Sequence, residues 1–306
     1  MSVENFIPVL WADAFLDRLK EEHVYANCVN RDYEGVIKKF GDTVRVNTMG
    51  PVTISNYTKN TINLTPEVLD GASEAMIIDQ AKYFYFALDD VDAAQAKGEL
   101  KTAAMDEAAY GMRDVTDTFL ADLIAASVAT ANIIEVPGGD NSSTSNPILL
   151  GTGAGDVDAY ELLVDIGTRM NEANVPSGDR WCVVNPKFVA LLLKDARFTS
   201  FATAMSQSIL KEGSSAGPSG GRLPGMFKIL TGMDIMVSNS VPVSGSVYTI
   251  LAGYKGAVSY AEQIAEGQPE AFRLQTGFAD AVRGLHLYGG KVFRPSALVA
   301  AYVQFA

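Results

Sequence analysis

Histidine and cysteine are nearly missing from this 306-residue chain, at two of each, and most site chemistry is excluded with them. Cys28 and Cys182 stand far apart in the sequence and make no disulfide framework, so reduced thiols are expected. His23 and Cys28 have no recognised metal spacing, and no H-E-x-x-H, C-x-x-C, EF-hand or P-loop motif occurs. No metal or cofactor is therefore expected. An excess of basic residues is also missing. Lys and Arg number 24 against 36 Asp and Glu, a net charge of −12, and an acidic surface repels phosphate. No apolar run approaches the ~18 residues of a membrane span. The opening stretch MSVENFIPVLWADAF lacks a basic region before an apolar one. No signal peptide is expected, and the cytosol is the default.

What is present is a chain 48 % hydrophobic, long enough for one large domain or two ordinary ones. Its acidity is concentrated, with a net charge of −11 falling in residues 61–140. Residues 9–22 read as an amphipathic helix after Pro8, with Trp11, Phe15 and Leu19 every fourth residue. Such an aromatic stripe must dock, on its own chain or on a neighbour.

Residues 29–88 read as β-rich. TVRVNTM alternates, Gly50-Pro51 marks a turn, and VTISNYT follows. After a polar stretch, EAMIIDQAKYFYFALDD reads as one long strand, the aromatic run favouring β. Two long strands around a polar tip predict a projecting hairpin, which is marginal in water without a surface beneath it.

Residues 89–131, rich in Ala and acidic residues, read as one long helix. Its expected apolar stripe is Leu100, Ala103, Ala104, Ala108, Met112, Val115, Phe119 and Leu123. Residues 137–156 read as a connection, 157–174 as a helix and WCVVNP as a short buried strand, with a second helix after Pro186. A Gly/Ser-rich loop spans 212–225. Short strands, including DIMVSNS and VYTILAGY, occupy the rest of the chain, and there is no internal repeat.

Two motifs resemble catalytic signatures by letters alone. Gly151, Gly153 and Gly155 approach a dinucleotide fingerprint, but Asp156 puts an anion where the phosphate would sit. GSSAG (213–217) spells a nucleophile elbow without a strand before it or a helix after it, and Pro218 follows closely. His286 lies in an expected strand with no acid visible beside it. The site search returns no catalytic cluster, which favours a structural role over an enzyme.

The order of the pieces resembles the major capsid proteins of tailed phages, the Hong Kong 97-like fold, in the branch that assembles with a separate scaffolding protein. The resembling pieces are FIPVLWADAFLDRL (6–19), VNRDYEG (29–35), GDTVRV (41–46), FALDDVDAAQ (86–95), WCVVNPKFVALLLKDARF (181–198), GMDIMVSNSVP (232–242) and GGKVFRPSALV (289–299). The resemblance implies an α+β fold. In it, 1–40 would be an N-terminal arm and 41–88 an extended loop over a neighbouring subunit. Residues 89–144 would be a peripheral domain with a spine helix over 89–131, 145–255 an axial domain, and 256–306 strands returning to the peripheral domain.

Trp11, Phe15, Tyr57, Lys59 and Asn60 would then make contacts between subunits. Asp92, Glu99, Asp106, Glu107, Asp114 and Asp117 would line the shell interior and repel packaged DNA. The implied function is a capsid subunit forming hexamers and pentamers of an icosahedral head, which encloses double-stranded DNA without binding it specifically. Scaffolding and portal proteins, and possible decoration proteins, would be its partners, with no membrane involved and assembly in the host cytoplasm. The absence of an obvious helical leading domain fits scaffolding supplied in trans. The alternatives are an encapsulin-type nanocompartment with a protein cargo, or, remotely, an enzyme using the GTGAG turn.

Overall fold

The structure, a computed structural model, describes residues 23–33, 43–49, 52–54, 56, 59, 71–89, 99–151, 153, 155–194, 232–264, 269–274 and 279–305. Strands β1 (Thr43–Met49) and β2 (Gly71–Ile77) form an antiparallel pair in full register, Thr43 opposite Ile77 and Met49 opposite Gly71. The chain then passes Ile78 and Asp79 into β3 (Gln80–Asp89). β3 belongs to a different sheet. It pairs with the long C-terminal strand β11 (Ala279–Val292), along which Asp89 faces Ala279 and Gln80 faces Tyr288. The stretch expected as one strand is therefore two, changing sheets where Met76 and Ile78 are buried. Asp89, where the helix was expected to open, is the last residue of β3 and pairs with Ala279 of β11. Val52–Ile54, expected as a strand, are not in one.

The helix α2 (Glu99–Ser127) follows the four-residue α1 (Tyr25–Cys28) of the N-terminal segment. Its 29 residues span about 43 Å at 1.5 Å each. Ala109, Met112, Thr116, Asp117, Leu120, Ala121 and Ile124 are buried on it at helical spacing. The observed stripe is rotated from the expected one: Val115 is exposed and Phe119 and Leu123 only partly covered. The helix serves two cores. Ala109 and Met112 pack with Phe84 of β3, and Leu120, Ala121 and Ile124 join the main core.

That main core surrounds a six-stranded sheet ordered β4-β12-β8-β5-β6, with β7 (Val243–Ser244) on β8. Its members are β4 (Ile148–Leu150), β12 (Leu298–Phe305), β8 (Val247–Tyr254), β5 (Arg180–Val184) and β6 (Asp234–Val237). β5 is buried along its whole length, the pattern of a central strand covered on both faces. The helix α3 (Ala159–Glu172) buries Leu162, Leu163, Ile166 and Met170 on one face. Glu161 in its first turn and Arg169 in its last complement the helix dipole. The helix α4 (Pro186–Lys194) starts with proline at its first position, and Asn185 caps it by accepting from the Lys187 amide at 2.8 Å.

The second sheet is built around β11. β3 runs along one edge, while β10 (Glu270–Arg273) and β9 (Val258–Ile264) pair with successive stretches of the other. Two glycines let neighbours approach β11 closely. A Cβ on Gly284 would stand 2.4 Å from the Phe84 ring. One on Gly289 would meet backbone, Ile77 O at 2.5 Å and Ile78 Cα at 2.9 Å, so this glycine seats the root of the hairpin.

Gly289→Ala is expected to destabilise the purified subunit by about 1–3 kcal/mol, since backbone must shift. Gly111→Ala, on an open helix face with nothing within 4 Å of the new methyl, should stabilise it by about 0.5–1 kcal/mol. Thermal unfolding of the two variants beside the parent checks both signs.

Candidate functional site

Two features stand out from the fold: a buried ionic junction, and apolar side chains left in solvent on the hairpin and β3. The junction gathers groups from four elements around Glu262 of β9. Tyr260 donates its hydroxyl to Glu262 Oε2 at 2.7 Å, His286 donates Nε2–H to the same oxygen at 3.1 Å, and Arg31 donates to Oε1. Glu262 lies opposite Tyr288, so His286 is its diagonal cross-strand neighbour. On the other side of His23, Asp117 of α2 accepts from three donors. These are His23 Nδ1 at 3.1 Å and the amides of Val24 at 2.8 Å and Ala26 at 3.4 Å.

Burial alone would push the Glu262 carboxyl up. The His286 hydrogen bond, the Arg31 charge and the nearby imidazoles outweigh it and hold this group well below the usual carboxylate range. Burial, with the neighbouring carboxylate second, pushes the Tyr260 phenol well up, so it remains a donor. The junction joins the N-terminal segment to both the helix and the sheet. Backbone bonds reinforce it: Asn30 N donates to Val258 O, and Tyr260 N to Asn30 O, each at 2.9 Å.

His286 therefore does have an acid beside it, supplied by a strand 24 residues away. Asp117 is corrected as well. It is 2 % exposed and committed to the N-terminal segment, so it cannot line an interior surface. Of the other acids grouped with it, Glu107 and Asp114 are exposed, and Asp114 accepts from Ser240 Oγ at 3.0 Å. Asp106 is partly buried, Glu99 opens α2, and Asp92 lies outside the described residues. Lys59 is exposed in a turn, while Trp11, Phe15, Tyr57 and Asn60 lie outside the described residues.

The exposed apolar side chains were not singled out from sequence. Ile54 is 96 % exposed and Tyr83 76 %, with Val52, Ile77 and Tyr85 also more than half exposed. Tyr85 stacks on Phe272 of β10, and Arg283 lies over that ring at 4.9 Å while paired with Glu270 at 2.7 Å. The signal was the run Tyr83-Phe84-Tyr85-Phe86. An alternating strand with aromatics at every position has two apolar faces, and α2 covers one.

The glycine turn is closed by its own side chain. Gly153 N donates to Asp156 Oδ2 at 3.0 Å, filling the place a phosphate would take. The GSSAG loop lies outside the described residues. Among the described residues no group of three or more His, Cys, Asp or Glu is arranged to hold a metal ion, and no helix is long and apolar enough to cross a membrane.

The phage capsid protein family matches residues 71–301, and the chain belongs to it. No curated protein matches the chain. Among solved structures it is similar to one from Mycobacterium phage Che8, at 25 % identity over 92 % of this chain and 91 % of that one, with a TM-score of 0.61. The capsid of Ralstonia phage GP4 matches at 11 % identity, over 93 % and 91 %, with a TM-score of 0.60. The capsid structure of cyanophage P-SCSP1u matches at 16 %, over 94 % and 89 %, with a TM-score of 0.59. The α+β, Hong Kong 97-like fold expected from the sequence is the fold found, and the protein is a structural capsid component rather than an enzyme.

Folding favours ionisation of the Glu262 carboxyl, so its contribution to stability is complete above pH 4.5, the ordinary value, and is lost as pH falls below it. Glu262→Gln should cost about 3–5 kcal/mol at pH 7, because partners of a buried ion are left unpaired. It should also flatten the loss of stability between pH 4.5 and the strongly acidic range. Urea unfolding midpoints at pH 7 and 3.5 for the parent and the variant give both comparisons.

Proposed function

We propose that the protein is the major subunit of an icosahedral phage head, forming hexamers and pentamers that close around double-stranded DNA. The observation that carries this reading, within a phage capsid family, is the run of large apolar side chains held in solvent by Val52, Ile54, Tyr83 and Tyr85. A lone soluble subunit has no use for them, and a neighbouring copy buries them. Many modest contacts per subunit then sum to a stable shell. In this reading residues 1–40 are the arm and 41–88 the overlapping loop. Residues 89–144 and 256–306 form the peripheral domain, and 145–255 the axial one. Trp11, Phe15, Tyr57, Lys59 and Asn60 lie at subunit contacts.

The acidic lining is proposed without Asp117, from Asp92, Glu99, Asp106, Glu107 and Asp114, and serves to keep DNA phosphate from adhering. A scaffolding protein shapes the shell, a portal occupies one vertex, and assembly takes place in the host cytoplasm, with decoration proteins as optional additions.

Electron microscopy of the subunit expressed with its scaffold should show closed particles. Ile54→Asp and Tyr83→Asp, both at exposed positions that folding does not need, should leave soluble subunits and few closed particles. Small oligomers under every condition would overturn the shell, and shells holding a protein cargo in place of DNA would overturn the contents.

A further inference from the structure

The chain's only two histidines are buried in the same junction, and they are placed differently. His23 stands between two carboxylates of different elements. Its Nδ1 is 3.1 Å from Asp117 Oδ1 on α2, and its Nε2 is 3.9 Å from Glu262 Oε2 on β9. A carboxylate only accepts. A neutral imidazole carries one N–H, and with Nδ1–H given to Asp117, Nε2 is a bare lone pair facing another acceptor. That nitrogen is buried and, among the described residues, has no hydrogen-bond partner. One further proton removes the mismatch, because an imidazolium keeps its hydrogen bond to Asp117 and presents a positive N–H, not a lone pair, to Glu262 at 3.9 Å.

Charge points the same way. The described charged groups around His23 are Asp117 from α2, Glu262 from β9, and Arg31 from its own segment. Two carboxylates against one guanidinium leave a single uncompensated negative charge, which the second proton on His23 cancels. The other titratable neighbours do not supply that proton. Tyr25, Tyr260 and Tyr288 have phenols raised by burial, and His286 already donates Nε2–H to Glu262. The remaining ring nitrogen of His286, Nδ1, is buried with no acceptor for a second proton.

We propose that His23 is a proton-gated clasp, which holds the segment His23–Arg31 against α2 and β9 more firmly when doubly protonated and loosens it when the second proton leaves. The acceptor is always ready, because Glu262 stays ionised wherever an imidazole titrates. The sign follows from the charge: the added docking strength is present while His23 carries the second proton and is lost when rising pH removes it. The clasp is a property of the single subunit and does not rest on the shell reading.

Hydrogen exchange of the full-length purified subunit between pH 5.5 and 8.5, corrected for the intrinsic rate, tests it on peptides covering residues 23–31. Protection should fall on the order of tenfold across that range, the worth of one charge-assisted bond. The profile should be flat in His23→Gln. Should that variant fail to fold, nitrogen-15 labelling of the histidines in the parent gives an independent reading. Between pH 5.5 and 8.5 the His23 ring should pass from two protonated nitrogens to one. A flat exchange profile in the parent, an unchanged profile in His23→Gln, or a singly protonated His23 ring at pH 5.5 would overturn the proposal.

Discussion

Strand β11 must satisfy backbone donors and acceptors along fourteen residues and on both edges. The strands beside it are arranged to meet that demand. β3 supplies one edge from Asp89 to Gln80, and β10 and β9 share the other. Because β3 is held there, the chain leaving the hairpin must turn from one sheet to another at Ile78–Asp79, and Gly289 leaves room for it. Because β3 is held, α2 also has a surface of aromatic rings to lie on, Phe84 among them. The hairpin, the helix and the exposed tyrosines all take their positions from this one strand.

The helix then carries that order into the second sheet. Its Ala109 and Met112 pack with Phe84 of β3, and its Leu120, Ala121 and Ile124 enter the core that surrounds β5, β8 and β12. The ionic junction sits at the same crossing and adds the N-terminal segment. A buried network of this kind contributes less to net stability than apolar residues of equal volume would, since each ion loses its hydration. What it supplies is a unique docking position: Asp117 accepts two amides of the segment, and no sliding of the segment preserves both bonds.

Local patterns were legible where one element decided its own structure. Residues 247–254 and the WCVV strand follow from β-branched and apolar runs, and α4 follows from Asn185-Pro186. They failed where a distant partner decided. The strand's reach to Asp89 was missed because its partner β11 lies about 190 residues away. The helix stripe was misjudged by one residue because Thr116 and Asp117, polar in any sequence reading, are buried by Met112 O and by His23. Glu262 could not be linked to His286 without knowing that β9 and β11 are neighbours. The family resemblance located elements in order, but the exposed apolar face emerged only from knowing which side of β3 the helix covers.

The two thiols carry a last consequence. Cys28 lies against Met236 Sδ at 3.2 Å, and burial pushes the Cys182 thiol up to about 12, so the reactive thiolate is scarce at neutral pH. Neither sulfur is open to solvent. While the subunit stays folded, its two thiols are thus withheld from disulfide exchange, and a change from reducing to oxidising surroundings leaves both unpaired by any disulfide.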